Sequence, residues 1–462
     1  MNTLLSGGGS RREFLKGAAA AAAGLGLGGQ GSIALGQVGG GSTRWGGKAK
    51  NVVFMVSDGM SQGTWTMADM AHRLRSGRRS FWASLMMEGM PSAQVMTHSK
   101  DSLVTDSAAG GSAWGSGVHL NNGEINRHGG KDYEPILVTA RKAGMGTGLV
   151  TTTRVTHATP ASFVANVDHR DMEDEIAGQM MERGVDVVLG GGARYFPDEL
   201  LTEYEDVTVV RTATDLAIKR GVEGRLLGLF NDSHLAYELD RPAEEPSLRA
   251  MSMVALEKLA ARETGFVLQI EGGRVDHGGH GTDAPANLFD QLAFDEAVEA
   301  VVGWARRRGD TLVIVTTDHG CGGPELTLYQ EEGNEGFAKL LTAKSTVTAV
   351  QMKAGREADR VDRLIAGFRD ALDIELSAAE QDYLRGSLGR DREGEGFKGL
   401  QGDSRVISTV LANHWGVSFV SGNHTAEMVH ASAVGPGSEL LRPMMDNVEF
   451  YGLMTGAMGL SV

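Results

Sequence analysis

The 462-residue chain has a single cysteine, Cys321, so no disulfide can form within it. With 10 prolines against 65 glycines, it is not a stiff, proline-rich chain, and many tight loops are expected instead. No stretch offers the roughly 18 uninterrupted apolar residues that a membrane-spanning helix needs. Basic residues are also in deficit, with a formal charge of −15. Nothing here could track a nucleic-acid backbone, so no nucleic-acid partner is expected. An acidic surface repels phosphate groups at long range, so a phosphate site would have to be made locally positive by cations or arginine. What is present, 41% hydrophobic and 22% charged residues, is the composition of a globular protein with a large core.

Residues 1–36 read as an address rather than as structure. Ser10-Arg-Arg-Glu-Phe-Leu-Lys16 precedes the alanine- and glycine-rich run Gly17–Gly29 and resembles a twin-arginine export signal. Ala34-Leu-Gly36 offers a cleavage site that would leave Gln37 first, and the run is too poor in Leu, Ile and Phe to remain as an anchor. The expected partner is the twin-arginine export machinery and the expected location periplasmic or secreted, with no membrane span in the mature chain. A lone cysteine suits a protein that finishes folding before export. Removing residues 1–36 takes away a net +2 and so moves the total from −15 to −17. Residues 37–50 read as a glycine-rich linker and 51–462 as the functional domain.

That domain is organised around Gln269–His280. An apolar strand, Phe266–Ile270, runs into a glycine-rich loop carrying Glu271, Asp276, His277 and His280. Four ligand- or proton-competent side chains so close together point to a metal site, the alternative being a polar loop that caps a sheet. The design recurs along the chain. Asn51–Gly59 is a buried-strand pattern ending in Asp58, and Thr311–Gly320 is another ending in Asp318 and His319. The Gly146–Thr153 strand leads to His157 and Thr159, with Arg170 beyond. Asp106 and Ser107 precede small residues that can open a helix, where a serine can meet an anion at the positive end of the dipole, or can serve as an N-cap.

Helical periodicity over Asp171–Gly184, Ser247–Thr264 and Ala286–Arg308, with a strand at Val185–Leu189, completes a strand-helix alternation. The expected fold is α/β: a doubly wound, mostly parallel central sheet flanked by helices, with ligands at the carboxyl ends of strands. Residues 323–404 read as a helical insertion near the C-terminal third, with Arg356–Arg385 as a solvated accessory helix. The core is expected to resume at Trp415–His424, a strand delivering His424, before a glycine- and methionine-rich tail. His72, His98, His119, His128, His234 and His414 read as surface or satisfied core residues.

In order and local context, Val56-Ser-Asp-Gly59, Thr105-Asp-Ser-Ala-Ala109, His157-Ala-Thr-Pro160, Glu271-Gly-Gly-Arg-Val-Asp-His-Gly-Gly-His280, Thr317-Asp-His319 and Gly422-Asn-His-Thr425 resemble the alkaline phosphatase family. The resemblance implies an enzyme that hydrolyses phosphate monoesters through a phosphoserine, using two Zn2+ and one Mg2+. It implies Asp276, His280 and His424 around one zinc, and Asp58, Asp318 and His319 around the other. Asp58, Thr159 and Glu271 would serve the third ion, for which an all-oxygen set suits magnesium. Ser107 matches the nucleophile and Arg170 the guanidinium that grips phosphate. Two zincs about 4 Å apart would stabilise the attacking and leaving oxygens. His157 and His277 depart from the best-known bacterial pattern, which has an acid and a lysine there, so the third ion could also be zinc. A homodimer is a further implication.

Two other readings remain at this stage. One is phosphodiester or sulfate-ester hydrolysis on the same fold. The Ser107-Ala-Ala context lacks the Cys/Ser-x-Pro-x-Arg signature of a sulfatase, and a diesterase is not expected to combine Arg170 with Thr159 and Glu271. The other is a non-catalytic extracellular metal-binding protein, which would need neither Ser107 nor Arg170.

Overall fold

The computed structural model describes residues 48–389, 398–400 and 402–460. The expected export signal and all of the linker but its last three residues lie outside the described residues.

A ten-stranded sheet forms the centre. Its strands lie in the spatial order Met444–Asp446, Ser92–Met96, Val429–Val434, Thr311–Thr316, Asn51–Val56, Phe266–Glu271, Gly146–Arg154, Val187–Gly191, Arg225–Leu229 and Val207–Val210. Every neighbouring pair is parallel except the two made by Val429–Val434. The expected doubly wound, mostly parallel sheet is therefore present.

Why these runs sit at the centre follows from their side chains. Successive residues of a strand face opposite sides, so a strand buried on both faces must be apolar at every position. Val52, Phe54 and Val56 enter one core while Val53 and Met55 enter the other. The helices Ser107–Ser116, Ile136–Lys142, Glu173–Glu182 and Glu449–Met458 cover the first face. Leu248–Leu259 and Ala284–Arg308 cover the second. Phe54 packs its ring 5.0 Å from Trp114, 5.5 Å from Phe163 and 5.6 Å from Phe450. Truncating such a residue to alanine costs about 3–5 kcal/mol, so the strand that delivers Asp58 is firmly held.

Four local expectations are corrected. The stretch after Glu271 is not an open loop but a helix, Arg274–His280, which places Asp276 and His280 one turn apart on the same face. Arg356–Arg385 is not one solvated helix. It contains Arg360–Leu372 and most of Ala378–Ser387, separated at Asp373, whose φ is 55°. Leu364, Phe368, Leu372 and Leu384 are buried in a third apolar cluster, together with Met67, Ala68 and Ala71 of the helix Gln62–Ser76. This helical excursion opens and closes at an antiparallel pair between Pro324–Leu326 and Val417–Phe419.

Nor is Trp415–His424 one strand. Trp415 ends the helix Gly402–Trp415, and His424 belongs to a two-residue strand paired with Gly320–Cys321. Finally, the tail supplies the edge strand Met444–Asp446 and a buried helix, while Val429–Val434 enters the central sheet despite its alanines, serine and histidine, residues of modest strand propensity.

Candidate metal centre

Three adjacent strands of the sheet, Thr311–Thr316, Asn51–Val56 and Phe266–Glu271, end together, with Val56 in register with both Thr316 and Glu271. Just beyond or at those ends stand Asp318, His319, Asp58 and Glu271, all fully buried. The turn after Val56 requires a glycine. Gly59 has φ 71°, and a Cβ there would lie 2.6 Å from the Asp276 Cα. A bare backbone at that point lets the Asp58 turn and the Asp276 helix approach each other.

The side chains gather into three groups whose ligand-type atoms lie within 4.8 Å of one another: Asp276, His280, Cys321 and His424; Asp58, Asp318 and His319; and Asp58, His157 and Glu271. Thr159 joins the third through its hydroxyl, which donates to Asp58 Oδ2 at 3.3 Å. Each imidazole of the first group is oriented from behind. His280 Nδ1 lies 2.7 Å from the Gly422 carbonyl and His424 Nδ1 2.8 Å from that of Thr105. With those nitrogens donating, both Nε2 lone pairs face inward, and they lie 3.0 Å apart. Two acceptor nitrogens so close repel unless a proton or a metal ion sits between them.

The carboxylates make the same case. Asp58 Oδ1 and Glu271 Oε1 are buried with no hydrogen-bond donor, and the buried Asp276 Oδ1 and Asp318 Oδ2 have only imidazole nitrogens nearby, His424 Nε2 at 3.4 Å and His319 Nε2 at 3.0 Å. Burial, and then the neighbouring Asp318, Asp276 and Glu271, push Asp58 well above the usual carboxylate range. Burial pushes Glu271 up to about 7. Packing several carboxylates in a dry site is costly unless positive charge joins them, so the donor set fits bound cations. Imidazole and carboxylate in the first two groups suit zinc, and the oxygen-rich third suits a harder ion.

Beside these groups stands Ser107, buried, its Oγ 3.2 Å from His319 Nε2. It is the first residue of the helix Ser107–Ser116, and the N-cap is Asp106, whose Oδ1 accepts from the Ala109 amide at 2.9 Å. The capping alternative for Ser107 is thereby removed. Arg170 reaches the same corner, where its Nη1 donates to Asp106 Oδ2 at 3.0 Å and its Nη2 lies 3.0 Å from His157 Nε2. Arg170 therefore does close an ion pair, with a partner that no sequence pattern marks.

His157 is held neutral by burial and then by the positive charge of Arg170. His277 belongs to none of the three groups. It contacts Arg274 at 2.7 Å, and burial followed by that guanidinium pulls it down to about 3. Its ring lies 4.4 Å from that of His234, which in turn lies 5.6 Å from His157. His234, read from sequence as an ordinary surface or core residue, thus sits beside the site. It follows the strand Arg225–Leu229, so the strand-end logic applied elsewhere could have found it. Thr151 and Thr153 were missed too. Both hydroxyls donate to Glu271 Oε2, and their alternate spacing at the end of a strand was the available signal.

Among known proteins, the family model for alkaline phosphatase matches residues 49–460. The chain belongs to the alkaline phosphatase family. It is a phosphoric monoester hydrolase by that membership. Alkaline phosphatase 4 of Bacillus subtilis strain 168 is 30% identical over 413 residues, covering 87% of each chain. The crystal structure of Thermus thermophilus alkaline phosphatase is 34% identical, covers 90% of this chain and 93% of its own, and superposes with a TM-score of 0.83. A variant of the alkaline phosphatase from the Antarctic bacterium TAB5, with a histidine replaced by aspartate and Mg bound in its M3 site, shares the fold at a TM-score of 0.64. It is 23% identical, covering 90% of this chain and 99% of its own. Among the described residues of the phosphatase, no helix is long and apolar enough to cross a membrane.

Proposed function

We propose that the chain hydrolyses phosphate monoesters through a phosphoserine at Ser107. The observation that carries this reading is the position of Ser107 Oγ, 3.2 Å from His319 Nε2 at the start of the helix capped by Asp106. One zinc would be held by Asp276, His280 and His424, and a second by Asp58, Asp318 and His319. Asp58, Thr159 and Glu271 would hold the third ion, magnesium or zinc. When bound, such ions supply positive charge that favours the serine alkoxide, the leaving oxygen and a water pKa near neutrality.

The chain's own residues do the rest. The amino end of Ser107–Ser116 presents free amides and the positive end of its dipole to the phosphate. Arg170, steered by Asp106, has N–H groups left to bridge two phosphate oxygens in a fork. Ser107 Oγ bonds to phosphorus as the ester alcohol departs, and water then cleaves the phosphoserine to release phosphate and restore the hydroxyl. The TAB5 variant with histidine replaced by aspartate holds magnesium in its M3 site. The same question for this chain is whether His157 weakens magnesium binding at the third site.

Turnover of p-nitrophenyl phosphate against its bis ester and its sulfate tests the reaction class, and a preference for either competitor would sink the monoesterase reading. Acid quenching with labelled phosphate should trap label on Ser107. Full activity in Ser107→Ala would exclude the phosphoserine. We also propose that residues 1–36 direct twin-arginine export of a folded chain whose catalytic domain is 51–462. Active enzyme should stay inside the cell when Arg11 and Arg12 become lysine. The family likeness suggests a homodimer, which light scattering would check.

A further inference from the structure

Away from the central groups, the structure brings together His98, His119 and Asp446, whose ligand-type atoms lie within 4.8 Å of one another. They come from three separate segments. His98 follows the strand Ser92–Met96, His119 follows the helix Ser107–Ser116, and Asp446 ends the edge strand Met444–Asp446. Each segment is fixed by its neighbours. Asp446 is in parallel register with Met96, the Asn447 amide donates to the Met96 carbonyl at 3.1 Å, and the Lys100 amide donates to the Leu120 carbonyl at 2.8 Å. Thr97 and Ser99, on either side of the exposed His98, are buried. The three ligand-type groups are thus held on a rigid frame.

Their present contacts leave donors to spare. His119 Nε2 lies 3.0 Å from Asp446 Oδ1, which also accepts from the Val448 amide at 3.3 Å. His98 makes no hydrogen bond among the described residues, yet its ring centroid lies 4.5 Å from that of His119. A hydrogen bond between His119 and Asp446 needs no second imidazole. Two imidazoles and a carboxylate converging at the surface are instead a donor set for a divalent transition ion, with water filling the remaining position.

We propose that His98, His119 and Asp446 form a peripheral site for a zinc-class divalent ion, separate from the three central groups. Bound there, the ion would close residues 98–119 into a loop and fasten it to the edge strand. That loop contains Ser107 and its helix, whose start Asp106 already holds, so the clamp would add to the stability of the loop rather than to catalysis.

The full chain, with its central ions in place, would be dialysed against micromolar zinc and the metal counted per chain by mass spectrometry, beside His98→Ala and Asp446→Asn. One zinc fewer per chain in each variant, with monoester turnover in metal-saturated buffer unchanged, is the expected result. His98 is exposed, so its replacement does not endanger folding. As a second measurement, copper(II) added to the zinc-free peripheral site should give an electron paramagnetic resonance signal with two nitrogen donors, reduced in His98→Ala. Equal zinc counts in the three proteins would overturn the proposal and leave only the His119–Asp446 contact.

Discussion

Asp106 holds two things at once: its Oδ1 caps the helix that Ser107 begins, and its Oδ2 accepts from Arg170 Nη1 at 3.0 Å. One carboxylate therefore ties the position of the serine to that of the guanidinium. Removing Arg170 should take away a charged hydrogen-bonding fork worth about 1.5–3 kcal/mol, weakening phosphate inhibition by roughly one to two decades. Asp106→Ala should do the same and also lower thermal stability, because an N-cap is worth about 1 kcal/mol. Asp106→Asn keeps a good cap, so it should unfold near the wild-type temperature while binding phosphate less well. Phosphate inhibition unchanged in Arg170→Ala would leave that residue with the ion pair as its only role.

Exhaustive chelation should destabilise the fold as well as stop turnover. Without cations, one buried oxygen each of Asp58 and Glu271 lacks any donor, and one each of Asp276 and Asp318 has only an imidazole nitrogen nearby. Leaving a buried charge uncompensated costs about 3–5 kcal/mol, part of which the apo protein can relieve by taking up protons. Calorimetry should show a lower unfolding midpoint in chelator, restored by zinc and magnesium together. An identical midpoint before and after verified metal removal would contradict the reading of these residues as ligands.

The central sheet and its strand-end residues were legible because fully apolar runs such as Asn51–Val56 and Thr311–Thr316 leave few other ways to be buried, and their first polar residues must emerge at the edge. Contacts between distant segments were not legible. Nothing in the sequence pairs Asp106 with Arg170, or places His234 beside His277, since both depend on how loops from different strands fold over the sheet. From sequence alone, Arg274–His280 reads as a loop because its two glycines are poor helix formers. Tertiary contact overrides that weak preference.

One of those glycines, set against a glycine of a neighbouring helix, yields a paired prediction. A Cβ on Gly279 would lie 2.7 Å from the Cys321 carbonyl oxygen, whereas one on Gly303 would meet only the flexible end of Arg307 at 3.6 Å. Gly279→Ala should push the helix bearing Asp276 and His280 away from the strand Gly320–Cys321, costing about 1–3 kcal/mol and lowering zinc content. Gly303→Ala, inside the helix Ala284–Arg308, should be neutral or stabilise by up to about 1 kcal/mol. Thermal melts and metal counts on both proteins check this, and equal behaviour of the two variants would count against the packing argument.

His157 offers the sharpest test of the third ion. Its Nε2 is engaged by Arg170, while its Nδ1 is buried without a partner, and the residue shares a group with Asp58 and Glu271. A carboxylate at this position would add negative charge and could order waters around a hard cation, which favours magnesium. Imidazole is neutral as a ligand and better matched to zinc, so the native residue should shift the site toward zinc or leave magnesium loosely held. His157→Asp is therefore expected to retain more magnesium and to lose any slow activation by added magnesium. Because an aspartate could also pair with Arg170, phosphate inhibition must be measured alongside. Magnesium content and activation equal in the two proteins, purified side by side, would show that His157 serves only to hold Arg170.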